Sequence, residues 1–262
     1  MDHNTVRKYW DKNAEAWIEL SRMGYDVYRD YVNTPAFLKL LPDVKGLRGL
    51  DVGCGEGHNT RLVAKRGASM TALDISLKLV RAAHKMSVAE DYSIEHCLAN
   101  AVQIPFADNV FDFVIAIMSI MDMPEQERVL AEVYRVLRPG GFFQFSICHP
   151  CFMTRHRKPL RDENGDEYAV EVGGYFNPLR GEIESWFFSN APQELKDKFA
   201  PLQIPRFDNT LSGWLNILLD VGFRMERFVE PSANDETIKR CPHVADTQVV
   251  GYFLIILCRK AE

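Results

Sequence analysis

The stretch LRGLDVGCGEGHNTRLVAKRG, residues 47–67, constrains this chain most. A short apolar run leads straight into Gly53, Cys54, Gly55, Glu56 and Gly57, and an amphipathic segment follows at once. Glycine accepts positive φ and carries no Cβ, so this density describes a tight turn where backbone comes close to something. A helix starting after such a turn offers unpaired N–H groups to an anionic or electron-rich ligand. The same glycines would also serve a purely structural turn. Strand, turn and helix in that order point to an α/β fold built on a parallel sheet.

The rest of the chain keeps the rhythm. Apolar runs at 48–53, 69–73, 93–98, 111–118 and 141–148 read as strands, with helices near 58–66, 76–87 and 124–137 between them. In the last helix Leu130, Val133, Tyr134 and Leu137 share one face, and RPGG (138–141) is expected to stop it. A further helix over 210–220 ends at Gly222, and strands at 223–230 and 249–260 close the chain. The expectation is one domain over 1–262. It comprises an N-terminal helical cap (1–45), a ligand-binding core (46–148), an insertion (149–206) and a closing helix with two strands (207–262). The insertion carries six prolines, mixes charge with aromatic residues and shows no sustained period. A structureless stretch of that length is unusual inside a compact domain, so it is read as a lid.

With 47 % apolar and 26 % charged residues the chain has material for a substantial core. A net charge of −5 offers no reason to expect nucleic acid or an anionic membrane as partner. The N-terminal segment lacks the apolar stretch of a signal peptide, and no apolar run is long enough to span a bilayer. Six cysteines over 262 residues do not form a disulfide framework, and a reducing cytoplasm is the expected location.

The glycine spacing selects among ligands. A dinucleotide fingerprint, G-x-G-x-x-G, would need glycine where His58 stands. The spacing here is G-x-G-x-G, preceded by Asp51, whose carboxylate would repel a pyrophosphate and suit a cationic nucleoside. The second strand ends in Asp74, placed to accept both hydroxyls of a ribose. A simpler role for Asp74 or Ser76 is capping of the next helix.

LDVGCGEG, ALDIS, ANAVQIPFADNVFDFVIAI and EVYRVLRPGGFFQFS resemble the successive motifs of class I S-adenosylmethionine-dependent methyltransferases, over roughly residues 46–148. The likeness is greatest to the small-molecule branch typified by ubiquinone and menaquinone methyltransferases. It implies a Rossmann-like, doubly wound, seven-stranded sheet, mostly parallel with the last strand antiparallel, and S-adenosylmethionine across the strands' carboxyl ends. By the same resemblance, Asp51 and the backbone of the Gly53-Cys54-Gly55 turn would face the methionine half of the cofactor. Asp74 would hold the ribose and Ile75 would lie against the adenine. Asn100, in Ala99-Asn100-Ala101, stands where the family has an aspartate that accepts the adenine amino proton, so charge assistance is lost there. Ile117 and Met118 would line the methionine side. The signature with which nucleic-acid amino-methyltransferases clamp a base is absent after the fourth strand, so a small-molecule acceptor, apolar or ring-bearing, is expected.

Methyl transfer depends on positioning, and needs a base only if the acceptor holds its proton. His149, just after the fifth strand, has the chemistry of such a base, or fixes the junction to the insertion. Tyr9 belongs to a segment resembling the family's opening helix and is a second candidate, whereas Trp10 and Trp17 would bury that helix. Asp122 reads as a helix N-cap with Glu125 as the reciprocal acid. Cys148 and Cys151 form a lone C-x-x-C with no second ligand pair, so no metal site is expected. The insertion's Phe152, Tyr168, Tyr175, Phe176, Trp186, Phe187 and Phe188 would exclude water from an acceptor or simply pack. Arg155-His156-Arg157-Lys158 would meet an anionic substrate or lie in solvent. Alternatives kept open are a non-catalytic protein that binds S-adenosylmethionine or S-adenosylhomocysteine, and an arsenite-type methyltransferase using Cys148, Cys151 and Cys241. An NAD-dependent oxidoreductase is disfavoured by the glycine spacing.

Overall fold

A computed structural model describes every residue from Met1 to Glu262. The chain begins with α1 (His3–Arg22), a π-helical turn (Arg29–Asn33) and α2 (Thr34–Leu40). The alternating core follows: β1 (Arg48–Val52), α3 (His58–Ala64), β2 (Ser69–Asp74), α4 (Leu77–Ala89), β3 (Glu95–Leu98) and β4 (Phe111–Ile117). After a 3-10 turn (Ile120–Asp122) come α5 (Gln126–Val136) and β5 (Leu137–Cys148). Then follow β6 (His156–Arg161), β7 (Glu167–Gly173), β8 (Arg180–Trp186), α6 (Gln193–Lys198) and β9 (Leu202–Phe207). The chain closes with α7 (Leu211–Val221), β10 (Phe223–Val229), α8 (Asp235–Arg240), a 3-10 segment (Pro242–Gln248) and β11 (Phe253–Lys260).

Seven strands form one sheet in the order β10-β11-β5-β4-β1-β2-β3. Pairings among β1 to β5 are parallel, and β11 runs antiparallel between β5 and β10. The expected Rossmann-like doubly wound sheet is therefore present, with the last strand reversed. Its near-continuous apolar strands serve two cores with a period of two. In β4, Val114 and Ala116 face one core under α5 and α7, while Phe113, Ile115 and Ile117 face the other under α2 and α3; Phe111 joins the first core because the register shifts between it and Phe113. In β11, Leu254, Ile256 and Cys258 take the first face, and Ile255 and Leu257 the second.

RPGG follows the end of α5 at Val136, as expected, and is already part of β5, which starts at Leu137, paired with Phe111, with Gly140 at φ +74°. The structure corrects two expectations. Asp122 is not a helix cap. The residue preceding α5 is Glu125, left-handed at φ 55° with no side-chain capping bond, while Asp122 ends the buried 3-10 turn. The insertion is not structureless: β6 pairs with β7, and β8 with β9, as two separate antiparallel ribbons. Pro159 and Pro205 sit inside these strands, tolerated because every strand of a two-stranded ribbon is an edge.

The second ribbon is joined to α1. Asn13 donates to the Gln203 carbonyl at 2.7 Å and accepts from the Gln203 N–H at 3.1 Å. Ala16 and Leu20 pack on Phe188, Leu202 and Ile204, with Trp17 against Trp186 and Phe188. Helix and ribbon form one roof.

Candidate functional site

Beneath that roof, at the carboxyl ends of β1, β2 and β4, lies a cavity of about 780 Å³. The three glycines of the opening turn each answer a different demand. A Cβ on Gly53 (φ +76°) would come within 2.5 Å of Ser119 Cβ, so glycine lets β1 turn against the segment after β4. One on Gly57 (φ +82°) would press on Ala83 of α4 at 3.0 Å. One on Gly55 (φ +58°) would meet nothing within 4 Å, and Gly55 lines the cavity. At this point the cavity reaches bare backbone.

Asp74 is buried on the cavity wall, and its carboxylate accepts the Gly55 N–H at 2.9 Å and the Ser76 N–H at 2.8 Å. Burial pushes this carboxyl up to about 6, against the pull of those bonds. Ser76 is the actual cap of α4, accepting from the Leu79 N–H. Cys54, Ile75, Asn100, Ala101, Ile117 and Met118 also line the cavity beside Gly53 and Gly55. Asn100 Oδ1 accepts the Val102 N–H at 3.2 Å, closing the turn after β3. Met118 holds φ +53°, a strained value for a residue with a side chain, and its N–H donates to the Ser146 carbonyl.

Asp51 departs from its expected place. It does not line the cavity; its buried carboxylate accepts the Thr60 hydroxyl at 2.6 Å, tying β1 to α3 behind the glycine turn. Burial raises that carboxyl to about 7. Tyr9 is also outside the lining: His3, Val6, Trp10 and Trp17 form the stripe of α1 that faces the cavity, and Tyr9 lies off it. His149 is 3 % exposed and absent from the lining. Its Nε2 bonds Glu230 at 2.6 Å and its Nδ1 accepts the Cys151 N–H at 3.1 Å, so both nitrogens are spent on the junction after β5. Cys148 reaches the cavity but Cys151 and Cys241 do not, and no three His, Cys, Asp or Glu side chains are grouped to hold a metal ion.

The far side of the cavity holds groups that sequence spacing did not bring forward. Arg206 of β9 is buried and donates to Glu184 at 2.8 Å and Asp208 at 2.7 Å, with its Nε 4.0 Å from Asp122 Oδ1. Burial drives the Asp122 carboxyl up to about 8, with Glu184 and Asp208 adding to the rise and Arg206 opposing it. A second group joins Tyr28 and Tyr252, both donating to Asp246, to Arg157 of β6, which also pairs with Glu167 at 3.1 Å. The one available signal is Arg206 itself, the lone charge in the mostly apolar run LQIPRF.

A family model described as a methyltransferase domain matches residues 50–145. The chain is 33 % identical over 124 residues to a malonyl-[acyl-carrier protein] O-methyltransferase of Pectobacterium atrosepticum, covering 47 % of each chain. It is 34 % identical over 108 residues to a demethylmenaquinone methyltransferase of Listeria monocytogenes, covering 40 % of this chain and 46 % of that one. The matches thus span about half the length of these curated relatives. Among solved structures, an S-adenosylmethionine dependent methyltransferase from Mesorhizobium loti superposes with a TM-score of 0.69 at 25 % identity, over 86 % of this chain and 96 % of that one.

Proposed function

Because this chain belongs to the class I S-adenosylmethionine-dependent methyltransferase family, we propose that it methylates a small acceptor, apolar or ring-bearing, held under the roof of α1 and residues 149–206. The carrying observation is that one cavity joins the glycine turn to this aromatic roof. The cofactor supplies a methyl group on a cationic sulfur. In this reading Gly55 gives the cofactor room, and Asp74 receives the ribose hydroxyls on the lone pairs that Gly55 and Ser76 leave free. Ile75, Asn100 and Ala101 hold the adenine, and Cys54, Ile117 and Met118 the methionine half.

The chain's own contribution is position and dryness. Trp10, Trp17, Trp186 and Phe188 enclose the space where an acceptor would sit, and expelling water strengthens every polar contact inside. His149 and Tyr9 are set aside as base candidates in this reading, because neither side chain lines the cavity. Six free cysteines fit a reducing cytoplasm, and no helix is long and apolar enough to cross a membrane.

Calorimetric titration with S-adenosylmethionine, S-adenosylhomocysteine and NAD tests the proposal. Micromolar binding of the first two without NAD is the expected result. Silence from the first two would overturn it.

A further inference from the structure

Several carboxylates line the cavity, and all but one have partners. Asp74 accepts two backbone N–H groups, Glu56 meets Arg22 and Arg61, and Glu167 meets Arg157. Glu184 binds Arg206, and Asp246 accepts two tyrosine hydroxyls. Asp122 differs. Its Oδ1 is enclosed without a hydrogen-bond partner, and so is the Nε of Arg206 that faces it. At 4.0 Å the two are too far apart to satisfy each other. Leaving such groups unpaired is costly, so a ligand that supplies the missing bonds is favoured.

The position is as telling as the vacancy in bonding. Asp122 ends the turn after β4, in the segment whose Ser119 and Met123 press directly on Gly53. Arg206 is fixed from its other side by Glu184 and Asp208, which leaves only Nε to face Asp122. The pair therefore presents one acceptor and one donor side by side. A hydroxyl both donates and accepts, and once deprotonated its oxygen still accepts from Arg206; an ammonium group accepts nothing.

Resting on the methyl-transfer reading above, we infer that Asp122 is the proton acceptor at the reacting end of the cavity, positioned by Arg206, and that the methyl acceptor carries a phenolic or enolic hydroxyl. The step balances. The O–H bond of the acceptor breaks and its proton passes to Asp122, while the freed electron pair forms the new O–C bond. The pair of the broken C–S bond stays on sulfur, leaving S-adenosylhomocysteine.

The charged and titratable groups facing Asp122 are Arg206 from β9, Glu184 from β8, Asp208 just after β9 and Cys148 at the end of β5. One guanidinium among three carboxylates leaves Asp122 protonated in much of the empty protein at neutral pH, since its carboxyl stands near 8. The positive sulfur of S-adenosylmethionine favours the ionised, proton-accepting form, whereas S-adenosylhomocysteine lacks that charge.

Titration calorimetry in phosphate and in Tris, whose ionisation enthalpies differ, counts the protons released on binding and needs no identified acceptor. At about pH 7.5 S-adenosylmethionine should release about half a proton more than S-adenosylhomocysteine. In Asp122→Asn that excess should vanish, while affinity for S-adenosylhomocysteine stays within about twofold. No excess in the unsubstituted protein, or the same excess in the variant, overturns the inference and leaves the cofactor reading intact. If Asp122→Asn does not fold, the unsubstituted protein decides across the pH range. An excess that peaks between 7 and 8, midway between the carboxyl's values without and with the sulfonium, supports Asp122; a flat profile, or a peak below 7 where the same shift would place Asp51 and Asp74, overturns it. Binding of neither nucleoside overturns this inference and the cofactor reading together.

Discussion

The two ends of the cavity are made in opposite ways. At the glycine end the lining comes from the turn after β1 and the carboxyl ends of β2, β3 and β4, with Glu56 and Asp74 as its carboxylates, almost all within residues 53–79 and 99–118. At the roof end they come from side chains of α1, the 3-10 turn at 120–122, β6, β8, β9 and the segment before β11, which meet only in the folded molecule. One end is a local property of the chain and the other a tertiary one. In the function proposed above, the cofactor would meet the first end and the acceptor the second, where side chains on loops and ribbons can vary without disturbing the sheet.

The sharpest way to break the comparison lies in two neighbouring glycines. Gly53→Ala combines positive φ with a 2.5 Å approach to Ser119 and should cost about 3 kcal/mol of stability, read by thermal denaturation. Gly55→Ala has open space and should cost only about 1 kcal/mol of stability, yet weaken cofactor binding measurably in calorimetry. Equal effects on stability would mean that the two glycines are not doing different things.

Asp74→Ala comes next, weakening cofactor binding by about 2 kcal/mol, the usual worth of hydrogen bonds to a charged group. Unchanged affinity would remove Asp74 from the ribose.

Stability against pH separates the ends as well. A carboxyl whose folded value is raised binds its proton more tightly folded than unfolded. Its contribution is therefore full below about 4 and is lost as pH rises through the folded value. At the folded value the slope has fallen to half, which happens at about 6 for Asp74, about 7 for Asp51 and only about 8 for Asp122, so most of the loss between pH 7 and 8 belongs to Asp122. Between pH 7 and 8 the melting temperature should fall in the unsubstituted protein, with a slope of at most about 1.4 kcal/mol per pH unit from one proton. In Asp122→Asn that slope should flatten. A slope that persists would place the titrating group elsewhere.

The smallest effect is expected at His149. His149→Ala frees the Cys151 N–H and lets Glu230 go to solvent, costing about 1 kcal/mol of stability with cofactor affinity unchanged. Lost turnover at normal stability would restore His149 as a base.

The difference between the ends also decides what the sequence could tell. The sheet was legible because alternating runs such as Phe111–Ile117 pack both faces, and the glycine turn because Gly53 and Gly55 hold positive φ between a strand and a helix, with Asp74 bonded to the Gly55 N–H. Asp51 was misplaced because its spacing cannot say that Thr60 claims it from behind. Asp122 resembled a cap because the aspartate-to-glutamate spacing is right, but Glu125 turned left-handed and the acid went inward. Arg206 lies 84 positions from Asp122 in the chain, and no local pattern joins them. The insertion looked irregular because ribbon strands such as HRKPLR are charged and half-exposed, with no apolar face to set a period.

The double hydrogen bond between Asn13 and Gln203 has a kinetic consequence. It ties the first helix to a ribbon nearly two hundred residues later, so the two are expected to move as one piece of the roof. Backbone amides of α1 and of β8–β9 should therefore exchange with solvent at a common rate.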